Sequence, residues 1–229
     1  MLRLATFVGL MSCAIGMRQG IGAQMSMDAV RQQNSIVEVG PTLSPFQHVR
    51  FCRRYPADCR PSAATNTSVG LDNIGLLDRI NRRVNADIAP ERKSYDSNIN
   101  ASWAVAPKTG DCNDYAVTKQ HELLRRGFSS SAVRLSVVKT ADGVGHLVLL
   151  VATTKGDVVL DNLTDEIRSW HDTDYQWLKI QSKNDPHYWV EVKSPVVIPA
   201  TIREIFKKIP ASPIDDLHHL TARVTRSSS

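Results

Sequence analysis

Between Asp111 and Leu163 the spacing of apolar residues changes once, from a helical period to an alternating one, and nothing else in the chain limits its fold as much. The stretch CNDYAVTKQHELLRRG (112–127) puts Ala116, Val117, Leu123 and Leu124 on one helical side. Asp111 suits the N-cap, Asp114 the first turn, and Arg125, Arg126 and Gly127 the end. After it, AVRLSVV (132–138), GHLVLLVAT (145–153) and DVVLDNL (157–163) alternate, separated by the turn signals ADGVG and TKGD. A helix feeding a run of closely linked strands predicts an α+β fold with an antiparallel sheet. DYQWLKI (174–180) and HYWVEV (187–192) extend that sheet before Pro195.

Upstream, LDNIGLLDRINRRVNADI (71–88) carries Leu71, Ile74, Leu77, Ile80 and Val84 at helical spacing, and Pro90 ends the helix. Pro107 and Gly110 give the loop 94–110 irregular backbone directly before the second helix. Residues 24–69 are rich in Ser, Thr, Asn, Gln and Pro with little periodicity. They read as a mobile lead tied down only around Cys52 and Cys59, so the domain is expected to span 70–195. The tail, 196–229, reads as peripheral, with one helical stretch, TIREIFKKI.

Residues 1–23 have Arg3 ahead of an apolar run from Leu4 to about Gly16 and then small residues, the pattern of a secretory signal peptide cut after Gly16 or Ala23. The run is shorter than the ~18 residues of a membrane span. LMSC, ending at Cys13, loosely resembles a bacterial lipobox, which makes a lipid anchor at Cys13 the lesser alternative. Removing the leader takes away two arginines and no acids, so the formal charge falls from +5 to +3. The basic residues are also dispersed, without interleaved aromatics, which argues against nucleic acid. An exported chain would oxidise the neighbours Cys52 and Cys59 into a staple; the competing reading is a metal site with His48. Either leaves Cys112 as an odd thiol, either buried or chemically active.

A nucleophilic cysteine needs an imidazole within hydrogen-bond reach and a group to orient it. His121 lies in the helix and is expected to face water, and His218 and His219 lie in the tail. His146 starts an otherwise apolar strand, and Asp161 is embedded in the apolar end of the next. A carboxylate buried there demands a partner. Cys112, His146 and Asp161 thus supply nucleophile, base and orienter. Register tests the set: a two-residue turn at Lys155-Gly156 would put Asp161 opposite Leu150, four residues or about 13 Å from His146 at ~3.3 Å per residue. Direct opposition of His146 and Asp161 requires the hairpin to be centred between Thr153 and Thr154.

In GDCNDYAVTKQHELLRRGF, GVGHLVLLV and GDVVLDNLTDEI, taken in that order, the chain resembles the bacterial transglutaminase-like cysteine proteinases, whose relatives include periplasmic adhesin-processing proteases. The resemblance runs from roughly Phe51 to Val192. It implies a papain/transglutaminase-like α+β fold with the nucleophile at a helix N-terminus packed on an antiparallel sheet. It also implies an exported cysteine peptidase, periplasmic or secreted, that works through an acyl-enzyme. Some members bind calcium through the acids around the cysteine. The matching positions here are Asp111, Asn113 and Asp114, with Asn113 replacing a glutamate and removing one charge. The competing reading of the two acids is a helix cap. The chemistry itself requires no cofactor.

The partners expected are a protein or peptide substrate, with a cell-surface protein among the candidates, and a regulatory protein. Acyl transfer to an amine is the alternative outcome of the same thioester. A non-catalytic protein-binding module on the same fold is the alternative of a different class.

Overall fold

The computed structural model of the protein describes residues 31–32, 34–62, 67–93 and 102–193. The leader, Cys13 and the tail from 196 onward lie outside the described residues. A seven-stranded sheet is built from β1 (Val37–Thr42), β4 (Val133–Lys139), β5 (Gly145–Thr153), β6 (Gly156–Leu160), β7 (Arg168–Ser169), β8 (Gln176–Gln181) and β9 (Trp189–Lys193). Their order is β1-β9-β8-β4-β5-β6-β7, and every pairing is antiparallel. A second, parallel pair joins β2 (Ala89–Pro90) to β3 (Thr109–Gly110). The helices are α1 (Phe46–Arg54), α2 (Ile74–Asp87) and α3 (Cys112–Arg125).

The inner strand β5 is buried on both faces. Leu147, Leu149 and Val151 join the core beneath α2 and α3, with Leu77, Ile80, Val84, Val117 and Leu123. Val148 and Leu150 point the other way, into a second core with Ile36, Trp170, Tyr175 and Trp177. The strict alternation of β5 serves two cores at once, and each fully buried leucine contributes roughly 1.5–3 kcal/mol.

The structure moves the start of the domain. β1 closes the sheet edge against β9, Ile36 N donates to Asp157 Oδ2 at 2.9 Å, and Glu38 pairs with the fully buried Arg134 at 2.7 Å. In α1, His48, Phe51 and Cys52 are buried, and Cys52 is disulfide-bonded to Cys59. Residues 34–62, read from composition as a mobile lead, are therefore part of the fold. β1 and His48 are held by strands more than 90 residues away, which local periodicity does not reveal. Two expectations about α3 also change. His121 is half-buried against Asp58 at 2.8 Å rather than facing water, and Leu124 is only half-buried while Thr118, Lys119 and Gln120 are buried.

The β5–β6 hairpin settles at a register between the two considered. Thr153 pairs with Gly156 and Leu149 with Leu160, so the turn is Thr154-Lys155. Gly156 follows the turn instead of forming it. Its φ is 130°, and a Cβ there would stand 2.7 Å from the carbonyl oxygen of Asn34. The glycine answers a close backbone approach as well as a positive φ. β6 ends at Leu160, earlier than the 157–163 run suggests, and Asp161 is the first residue beyond it.

Candidate active site

Cys112 opens α3, and the segment around it is fixed by a capping box. Asp111 Oδ1 accepts from Asn113 N at 3.1 Å, and Asp114 Oδ2 accepts from Asp111 N at 2.9 Å. Asp114 is fully buried; its Oδ1 accepts from Ala104 N at 2.8 Å, and Lys93 Nζ stands 2.6 Å from its Oδ2. Burial pushes the Asp114 carboxyl up, against the opposing pull of Lys93 and the two backbone N–H groups. The preceding loop is tied to the same helix where Ala106 N donates to Thr118 Oγ1 at 2.9 Å. These bonds set the direction of the first turn and hence the place of the thiol, which is half-exposed and free.

His146 stands at the start of β5, and its Nε2 meets Asp161 Oδ1 at 2.8 Å. The contact is diagonal. Continuing the register would put Asp161 across from Val148, but the chain leaves the sheet there and turns the carboxylate toward the imidazole. The turn is gripped from α2: Asn85 Nδ2 donates to Asp161 O at 2.9 Å, and Asn81 Nδ2 to Asp165 O at 3.1 Å. Leu163 N donates to Asp161 Oδ1 at 3.0 Å, and the Tyr175 hydroxyl donates to Oδ2.

Burial disfavours an imidazolium at His146, but hydrogen bonds and charge from Asp161 and Cys112 outweigh it and hold the ring up at about 9. Burial likewise pushes Asp161 up, and His146, Tyr175 and the Leu163 N–H together carry it below the ordinary carboxylate range. With Nε2 committed to Asp161, Nδ1 is the nitrogen left for the thiol. Cys112 and His146 line a cleft of about 900 Å³, and Asp161 lies behind the imidazole. Below them Lys119 is 1% exposed; burial pushes its ammonium down to about 7 against the opposite pull of Asp161 and Asp165.

The three residues singled out as nucleophile, base and orienter are therefore brought together. Of the two readings of Asp111 and Asp114, the helix cap is formed in full. The same residues do not fit a calcium ion, which takes six to eight oxygens. Both Asp114 oxygens are occupied, Lys93 supplies the neighbouring cation, and the Asn113 amide donates to Asp111 Oδ1 at 3.1 Å. Among the described residues, the grouping of His, Cys, Asp or Glu ligand atoms close enough to share a metal is His48, Cys52 and Cys59, whose sulfurs are bonded to each other. Trp189 Nε1 donates to His48 Nδ1 at 3.1 Å, and Gln181 Nε2 stands 3.0 Å from His48 Nε2, so both ring nitrogens are engaged by the surrounding fold. Sequence reasoning missed Tyr175 and Asn85. A tyrosine heading a strand and an asparagine on an arginine-rich helix carry no local signal.

Fold and site together define a transglutaminase-like cysteine peptidase of the α+β class. The profile of the family described as bacterial transglutaminase-like cysteine proteinase BTLCP matches residues 38–196, and the chain belongs to that family. Similar solved structures include Legionella pneumophila LapG, 16% identical, covering 71% of this chain and 85% of that one at a TM-score of 0.41. Its calcium-bound form is 16% identical over 79% of this chain and 99% of that one, TM-score 0.44. Its EGTA-treated form is 17% identical over 68% and 81%, TM-score 0.42. No curated protein sequence matches the chain. Among the described residues no helix is long and apolar enough to cross a membrane.

Proposed function

We propose that this peptidase is exported and hydrolyses a peptide bond in a protein substrate through Cys112, His146 and Asp161. The contact of His146 Nε2 with Asp161 at 2.8 Å, which leaves the other ring nitrogen for the thiol, carries the proposal. The thiol gives its proton to His146 Nδ1, and the sulfur attacks the substrate carbonyl carbon. Charge on the carbonyl oxygen is met by the Cys112 N–H at the start of α3, where the first N–H groups have no partner within the helix. Collapse breaks the C–N bond, and His146 returns the proton to the leaving amine. Water, giving a proton to the same nitrogen, then attacks the thioester and releases the acid with the thiol restored. Asp161 stays ionised throughout and fixes the ring.

The leader 1–23 directs export to the periplasm or the exterior, and the Cys52–Cys59 disulfide is the kind of staple an oxidising compartment allows. The cleft suits an extended stretch of a protein, a cell-surface protein in the proposal. No step uses calcium, which would have to displace Lys93 to bind Asp114. Comparing the N-termini of exported proteins from cells carrying the wild type or Cys112→Ser tests the reading. Wild-type cells should contain a terminus that the variant lacks, and purified enzyme acting on that protein in ¹⁸O-labelled water should put the label into the new carboxylate. No differing terminus would overturn the proposal, and so would transfer to a labelled amine in place of the label from water.

A further inference from the structure

Tyr175 touches both members of the His146–Asp161 pair. Its hydroxyl donates to Asp161 Oδ2, and its ring stands edge-on to the imidazole, with centroids 5.8 Å apart at 66°. The side chain is 6% exposed, belongs to the second core, and forms part of the cleft wall. A carboxylate held at one oxygen can still rotate about its Cβ–Cγ bond. Here Oδ1 is taken by His146 and Leu163 N, and Oδ2 by Tyr175. The plane of the carboxylate, and with it the imidazole, is left no rotation.

We propose that Tyr175 is a positioning residue of the peptidase: its hydroxyl locks the Asp161 carboxylate in the orientation that aims His146 at Cys112, and its ring shields the bond between them from water. The inference rests on the triad proposed above. A donor to the ionised carboxylate favours the ionised form, so weakening it makes Asp161 protonate at higher pH, and strengthening it does the reverse. Shielding matters because a charged hydrogen bond is stronger in a drier setting.

Alkylation of Cys112 by iodoacetamide, followed against pH by mass spectrometry of the Cys112 peptide from the full chain, tests this without a known substrate. Tyr175→Phe is expected to slow alkylation at neutral pH by about ten- to a hundredfold, the worth of a hydrogen bond to a charged group. It should also move the acid limb of the profile to higher pH. Replacing Tyr175 by 3-fluorotyrosine keeps the packing and makes the hydroxyl a stronger donor, so the limb should move to lower pH. The fluorinated protein decides the matter alone if the phenylalanine variant does not fold. Rates within twofold of wild type and an unmoved limb would overturn the role of Tyr175. Failure of the triad reads differently: the wild type would then react no faster than His146→Ala and Asp161→Asn.

Discussion

A Cβ on Gly110 would stand 2.7 Å from Asp114 Oδ2 and 2.8 Å from its Cβ, and the carboxylate cannot give way because it holds three donors. Gly110→Ala should therefore cost about 1–3 kcal/mol by overpacking, read as a lower urea midpoint with an unchanged slope. A midpoint equal to wild type would show that the first turn of α3 is looser than described. At this scale the three residues proposed to react are legible because each breaks a local rule: a thiol left over beside the Cys52–Cys59 pair, and an imidazole and a carboxylate in apolar strands. Tyr175 and Lys93 were not, since tyrosine suits a strand and lysine suits a loop. Only tertiary contact distinguishes them.

Among the elements, α3 and the strands β4, β5 and β6 announce themselves through periodicity, whereas β1 and α1 do not. β1 is six residues of edge strand with Gly40 and Pro41 inside it, and its partner β9 is remote in sequence. The two hairpin registers open in the sequence bracket the one formed, each within one residue of it; Gly156 looks like a turn glycine but serves the close approach of Asn34. The capping box yields two predictions for α3. Asp111→Ala removes the acceptor for Asn113 N and should lower stability by about 1 kcal/mol in a urea melt; an unchanged midpoint would mean that the cap contributes nothing. Because Lys93 neutralises Asp114 at 2.6 Å, EGTA and millimolar calcium should both leave the melting temperature and the Cys112 alkylation rate unchanged. A rise in melting temperature on adding calcium, lost again with EGTA, would contradict that reading of the acids.

For the whole molecule, buried titratable groups shape stability in opposite directions. His146 rises from 6.5 to about 9 on folding, so the folded state binds more protons across that window. Its contribution, on the order of 3 kcal/mol, is complete below about pH 6.5 and is lost as the pH climbs through 9. Lys119 falls from 10.5 to about 7, so the unfolded chain binds more protons there and stability gains as the pH rises through that range. His48 falls from 6.5 to about 4 through burial and the nearby charge of His187, so its contribution is lost as the pH drops through that interval. Between pH 7 and 9 the first two oppose. Urea melts of His146→Ala should therefore rise in stability across that window relative to wild type; parallel curves would mean that the imidazole is not held charged. Activation of Cys112 by His146 is tested most directly by the second-order rate of iodoacetamide with Cys112 at neutral pH. That rate should lie well above that of free glutathione and fall to the free-thiol value in His146→Ala. Equal rates for wild type, variant and glutathione would contradict it.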